Sequence, residues 1–475
     1  MGPKSIVSTN KLFARNMAKK LSLLLSISSL VAIAGYLNGL TFQQAFIVCI
    51  FSLSILGTLF FWDFRLSFVF IGSGILFLTK SVNLEEFIKS ASLDVILFLI
   101  GMMIVVGAMK ESGVFHWLVG MLLKIKNLNA SGLFVIIMTA SAVLSALTGE
   151  ITSIIVMMAI ILDVGDSLKI NPVPLVISSV LTTNIGSAST VLGNPIGILI
   201  ALRGNLTFED FLTRALPLSV VILIITMLTL GIWYRSYIKE ISSALAALGK
   251  EERVSRSVFW DRDKRVSTAI FSLMIVLITL HKRLEVLFGI EENSLLIILP
   301  VIFAGVVMLY RHDKVQYYIE REVEWTSLLF FMFLFAQAGV IQSSGVAQFF
   351  AGELVANVGN QPKVPSAIVL FSSGILSGML DNTVVVASYI PMVNNLHMLH
   401  SPLQPLWWAM LFGACLGGNI TAIGSTANIV ALGVLEKQRS IKINFFEWLK
   451  LGLTVGIISM LIAYFAIVLV PIFSK

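Results

Sequence analysis

Two acidic residues, Glu150 and Asp381, stand in otherwise apolar stretches, each within a short polar break: Thr148-Gly149-Glu150-Ile151-Thr152 and Asp381-Asn382-Thr383. A charged carboxylate at the centre of a membrane helix costs about 2.5–3.5 kcal/mol on insertion scales, so such a residue is paired, protonated or functional. Two further breaks supply amides, hydroxyls and glycines. The first runs from Thr183 to Pro195 and contains Asn184, Gly186, Thr190, Gly193 and Asn194; the second runs from Gly417 to Asn428 and contains Asn419, Thr421, Gly424 and Ser425. Glycine lets a backbone leave helical geometry, and Pro195 removes a helix donor. Carbonyls freed in this way, with Asn, Ser and Thr oxygens, can coordinate a cation, while the N-termini of half-helices attract an anion. The candidate binding set is therefore Thr148, Glu150, Thr152, Asn184, Gly186, Thr190, Gly193, Asn194, Asp381, Asn382, Thr383, Asn419, Thr421, Gly424, Ser425 and Asn428. Asp381 is read as a proton- or cation-coupling group and Glu150 as a titratable group facing it. A carboxylate held by a half-helix N-terminus, with no titration, is the structural alternative for Glu150. Tight helix packing accounts for isolated glycines such as Gly72 and Gly74, but not for Asn and Thr clustered at two matching places.

The elements that carry these breaks follow from composition. Of 475 residues 57% are hydrophobic and 12% charged, against roughly 25% charged in soluble domains. Apolar blocks long enough to cross a bilayer, which takes about 20 residues, predict an all-α integral membrane protein. Eleven spans are expected, at 21–39, 43–62, 66–80, 94–110, 173–202, 216–234, 267–283, 294–310, 326–343, 405–435 and 449–471. The stretches 132–162 and 366–396 carry their polar breaks near the middle and are read as re-entrant hairpins, because irregular backbone at membrane depth survives only where protein or a water-filled cavity satisfies it. The long spans 173–202 and 405–435 are read as discontinuous helices.

Charge placement sets the orientation. Lys4, Lys11, Arg15, Lys19 and Lys20 precede the first span, and eight Lys or Arg lie between Arg235 and Arg265. A positive-inside arrangement then puts the N-terminus in the cytoplasm. Lys19-Lys20 before Leu21–Val31 imitates a signal peptide, but the long leader favours an uncleaved first span. Four segments result: 1–40, leader and first span; 41–234, first repeat; 235–266, charged cytoplasmic linker; 267–475, second repeat. Cys49 and Cys415, far apart within apolar segments, suggest neither disulfide nor metal site.

The repeat is visible as an offset. A shift of 232 places Leu97-Phe98 on Leu329-Phe330, Ser112-Gly113-Val114 on Ser344-Gly345-Val346, Leu144-Ser145 on Leu376-Ser377 and Glu150 on Asn382. A shift of 231 places Gly186, Thr190 and Gly193 on Gly417, Thr421 and Gly424. An odd number of crossings between matching spans makes the copies run in opposite directions, the build of secondary transporters with a site at the midplane.

Leu93–Phe115, Asn171–Leu202, Leu376–Pro391 and Leu406–Glu436 resemble the ion transporter superfamily, in the branch holding arsenite permeases, sodium/proton antiporters and the P protein, with citrate and dicarboxylate carriers more distant. Leu380-Asp381-Asn382-Thr383 and Gly417-Gly418-Asn419-Ile420-Thr421-Ala422-Ile423-Gly424 match its hairpin and unwound-helix motifs. The first repeat departs: Gly149-Glu150 stands where the family shows Asp-Asn, and Gly193-Asn194-Pro195-Ile196-Gly197 where it shows Gly-Asp-Pro-Pro-Asn. These departures fall on the usual cation ligands of that repeat. The resemblance implies an elevator-type carrier, a homodimer, driven by a proton or sodium gradient.

The function expected is ion-coupled secondary transport of a small inorganic ion or anion across a cell membrane, arsenite or a related oxyanion first. Sodium/proton exchange, a di- or tricarboxylate substrate and a passive channel are the alternatives. Enzymatic activity, a resident cofactor, nucleic acid and a separate ATPase partner are not expected. Gly249-Lys250 is followed by Glu251 rather than by the Ser or Thr of a phosphate-cradling loop.

Overall fold

A computed structural model of the protein describes residues 3–123, 129–247, 260–358, 363–397, 403–469 and 473. Every regular element among them is a helix, as a bilayer requires of a single chain that does not close into a barrel. Eight of these helices are long and apolar enough to cross a membrane, or nine when Ser294–Tyr310 is joined to His312–Glu322 across a 100° bend. The eight include both arms of the first hairpin, Ala130–Thr148 and Glu150–Leu168. Shorter or split helices meet the rest of the eleven expected crossings. The span expected at 66–80 is a helix of 14 residues, Arg65–Leu78. The span expected at 173–202 is Val173–Ser187 followed by Pro195–Gly204, and that at 405–435 is Leu403–Gly417 followed by Thr426–Arg439. The middle of the expected linker, 248–259, lies outside the described residues.

The chain forms two compact units, both of which draw on both expected repeats. The first contains Met1–Leu93, Trp325–Asn360 and Ala387–Ser401. Within it, Phe42–Phe60, Arg65–Leu78 and Trp325–Ser343 approach closely through small residues. A Cβ on Gly72 would lie 2.5 Å from Ser54 Oγ. The buried amide of Gln337 donates to the Val69 carbonyl at 2.9 Å and to Ser73 Oγ at 3.0 Å, a polar tie of the kind that joins helices where lipid offers no hydrophobic drive.

The second unit contains Asp94–Glu324, Gln361–Val386 and Pro402–Lys475. Its first hairpin folds back at Gly149, whose φ of +90° is a conformation that glycine adopts without strain. The return is direct: Ser153 Oγ donates to the Ser141 carbonyl on the outgoing arm at 3.0 Å. Helix Val173–Ser187 lies so near this arm that a Cβ on Gly186 would sit 2.1 Å from the Ala142 carbonyl. Helix Leu403–Gly417 lies equally near Lys363–Ser377, where a Cβ on Gly417 would sit 2.1 Å from the Gly374 carbonyl. These are repeat-related contacts, since 142 and 374 differ by 232 and 186 and 417 by 231. Ion pairs close the helix ends: Lys110 with Glu322 at 2.9 Å and Arg311 with Glu111 at 3.1 Å.

Candidate functional site

All four polar breaks belong to the second unit, and their local geometry repeats. In the first, the Thr190 hydroxyl donates to the Ala146 carbonyl and accepts from the Leu192 amide at 3.2 Å. In the second, the Thr421 hydroxyl donates to the Gly378 carbonyl and accepts from the Ile423 amide at 3.3 Å. Each threonine thus pins an unwound segment to the neighbouring hairpin and satisfies backbone groups that lipid could not. The second half-helices then start on side-chain caps, Asn194 accepting from the Gly197 amide at 2.8 Å and Ser425 from the Ala427 amide at 3.2 Å. Pro195 takes the first helical position, where no N–H is needed.

Four helix starts meet here. The Glu150 amide, at the start of Glu150–Leu168, donates to the Gly193 carbonyl at 3.0 Å, beside the start of Pro195–Gly204. The Asn382 side chain, at the start of the next hairpin's return helix, reaches Glu150 Oε2 at 3.5 Å. Asp381 just before it accepts from the Thr426 hydroxyl at 2.6 Å, at the start of Thr426–Arg439, and from the Thr383 amide at 3.0 Å. Helix N-termini carry partial positive charge and favour anions. Glu150 is 3% exposed and Asp381 5%, so both carboxylates sit in protein, at the positive ends of helices.

The two acids lie near enough to interact electrostatically, and their hydrogen bonds divide between the two tips. Glu150 meets Asn382, its own repeat mate, while Asp381 is held by Thr426 and Thr383. The segments 137–157, 180–200, 373–386 and 410–430 contain no Lys or Arg. No side-chain cation from these segments compensates the two acids.

The amides are engaged with protein. Asn184 Nδ2 donates to Asn419 Oδ1 at 2.8 Å and Asn428 Oδ1 at 3.0 Å, and Asn184 Oδ1 accepts from Ser425 Oγ at 3.1 Å. Asn428 Nδ2 donates to the carbonyls of Gly418 and Thr421, both at 2.8 Å. Two carbonyls of the second break therefore face an amide. Asn194 Nδ2 donates to Ser187 Oγ at 2.9 Å and Cys415 Sγ at 3.2 Å. The Thr148 hydroxyl bonds back to the Leu144 carbonyl at 2.8 Å, and the Thr383 hydroxyl to Asn382 Oδ1 at 3.4 Å. Thr152 is half-buried on the first return helix. The close approaches fall on Gly193, beside the Ser187 carbonyl, and on Gly424, beside those of Gly418 and Ser377.

Four residues of the site are absent from the candidate set read from the sequence: Thr426, Ser187, Cys415 and Ser145. Ser145 Oγ is buried without a hydrogen-bond partner among the described residues, as is Thr183 Oγ1. The repeat offset holds the signal for Cys415, which falls on Asn184, and for Ser145, which falls on Ser377.

The CitMHS citrate transporter family matches residues 55–413. An uncharacterized transporter of Mycobacterium tuberculosis is 31% identical over 375 residues, covering 78% of this chain and 84% of the relative. An uncharacterized transporter of Synechocystis is 23% identical over 413 residues, covering 83% and 90%. The human P protein is 24% identical over 447 residues, covering 79% of this chain and 53% of that protein. With a family match across most of its length and a multi-pass helical structure, this membrane protein belongs to the citrate transporter family.

Proposed function

We propose that the protein is a cation-coupled secondary carrier of a small anion, and that Glu150 and Asp381 carry the coupling cation, a proton or sodium. The observation behind this reading is the meeting of four helix N-termini around two buried carboxylates, with no Lys or Arg in the surrounding segments. The helix ends favour an anion, but two ionised carboxylates repel it. Protonation or sodium binding at the acids removes that repulsion, so the anion enters a site already loaded with cation. Ordered loading then ties the two movements together, because the anion is bound only where the acids already carry the cation. A passive channel has no need of such a loading step.

The family name supports a carboxylate of the citrate class as the first anion to test, with arsenite and related oxyanions second. Sodium/proton exchange is a separate reading, favoured by the two acids being the only ionisable carboxylates in the four breaks. Purified protein in sealed vesicles separates these. Labelled citrate accumulating above its external concentration under an imposed sodium or pH gradient supports the carboxylate carrier. Arsenite movement alone would assign the oxyanion, and sodium flux without any anion would assign exchange. Citrate equilibrating without accumulation, whatever the gradient, contradicts coupling.

A further inference from the structure

The contacts between the two broken helices divide into a repeated part and a part that occurs once. The cap of each second half-helix donates to the other repeat: Asn194 to Cys415 Sγ at 3.2 Å, and Ser425 to Asn184 Oδ1 at 3.1 Å. These are repeat mates, 194 with 425 and 184 with 415. The bonds from Asn184 Nδ2 to Asn419 and Asn428 have no such counterpart. At the matching positions the first break carries Ala188 and Gly197, and Cys415 offers no amide. A broken helix therefore forms without these amides, as the first one does.

We propose that Asn184 is a positioning residue that fixes the separation of the two half-sites by clamping the first broken helix to the second. Its side chain is 1% exposed, and those of Asn419, Asn428 and Ser425 are 0%. Both amide hydrogens of Asn184 are bonded to side chains of the second break and its oxygen accepts from Ser425, so its donor capacity is taken up and its oxygen is already held by protein. The clamp continues through Asn428 to the carbonyls of Gly418 and Thr421 and from Asn419 Nδ2 back to the Leu181 carbonyl at 3.2 Å. An anion held between both tips needs them at one spacing. A cation at a single carboxylate does not.

This inference rests on the carrier reading only through its ligand, and the test keeps the two apart. Asn184→Cys and Asn419→Ala each install the residue that the other repeat carries, which leaves the repeated cap contact in place. Citrate and sodium binding are measured by calorimetry on the full-length protein, with the distance distribution between spin labels at Asn205 and Lys437, exposed ends of the two second half-helices. The expectation for either variant is a broadened distribution, citrate affinity lowered about tenfold, and sodium affinity changed less than about twofold. The double variant is expected to lose less than the sum of the two singles, because both remove the Asn184–Asn419 bond. Sodium affinity falling in step with citrate would make Asn184 a ligand and overturn the proposal. An unchanged distribution would overturn it too, whatever the binding. Wild-type protein that binds no citrate contradicts the carboxylate reading, while broadening in the variants still supports the clamp.

Discussion

In the first break Thr190 bonds the carbonyl of Ala146 and Gly186 packs on Ala142; in the second Thr421 bonds that of Gly378 and Gly417 packs on Gly374. The groups that could carry charge or donate differ. Glu150 is matched by Asn382, Gly149 by Asp381, Asn184 by Cys415 and Gly197 by Asn428. What a break in a membrane helix requires is thereby separated from what this site does with it. A threonine pin, a glycine at the helix contact and a polar cap recur because the backbone needs them in any copy. The acids lie one residue out of step, and no amide in the breaks of one repeat has an amide at the matching position of the other.

The shared contacts should fail alike. Gly186→Ala and Gly417→Ala each push a methyl to 2.1 Å from a carbonyl oxygen, and each is expected to cost about 3 kcal/mol or more by overpacking. Detergent-solubilised yield and melting temperature should drop equally for both; a tolerated change at one glycine would show that the breaks are not built alike. Thr190→Val and Thr421→Val are milder. Each strands a buried carbonyl, a loss of about 1–3 kcal/mol, and again the two melting temperatures should fall together.

Outside both breaks the effect should be smallest. Asp261 caps the helix Arg262–Thr279 through the Lys264 amide at 2.9 Å. The side-chain hydrogen bond from Lys264 holds the Asp261 carboxyl below the usual range. A carboxyl with a lowered folded-state pKa stabilises above its unfolded value and loses that contribution as pH falls through the folded value. Asp261→Ala should therefore lower the melting temperature slightly at neutral pH and not in strong acid. An equal shift at both would show that the charge plays no part.

Much of this contrast is legible in the sequence. The hairpin tips are readable at Glu150 and Asp381 because an acid in an apolar stretch is costly unless the chain breaks and turns there. The two unwound segments are readable because glycine, amide and hydroxyl cluster at a repeat offset. The register also carries the contact between the tips: 150 plus 232 is 382, so a two-fold relation brings Glu150 to Asn382, with Asp381 one residue away. Hydrogen-bond partnership is not legible in this way. Asn184, Asn419 and Asn428 have the composition of cation ligands, yet an amide's role depends on which oxygens surround it, and these face one another. Span number is also hard to read, because 14 residues at Arg65–Leu78 and the split pairs do not look like full crossings when taken one helix at a time.

Whether the buried carboxylates load the cation that admits the anion is tested most directly by gradient-driven citrate uptake into vesicles containing wild-type, Glu150→Gln or Asp381→Asn protein. Glu150→Gln keeps the shape of the tip and its contact to Asn382 while removing the charge. It is expected still to bind citrate, with uptake that no longer responds to an imposed pH gradient, and Asp381→Asn is expected to lose coupled uptake altogether. Full gradient-driven accumulation in folded Glu150→Gln and Asp381→Asn proteins would contradict a coupling role for these acids.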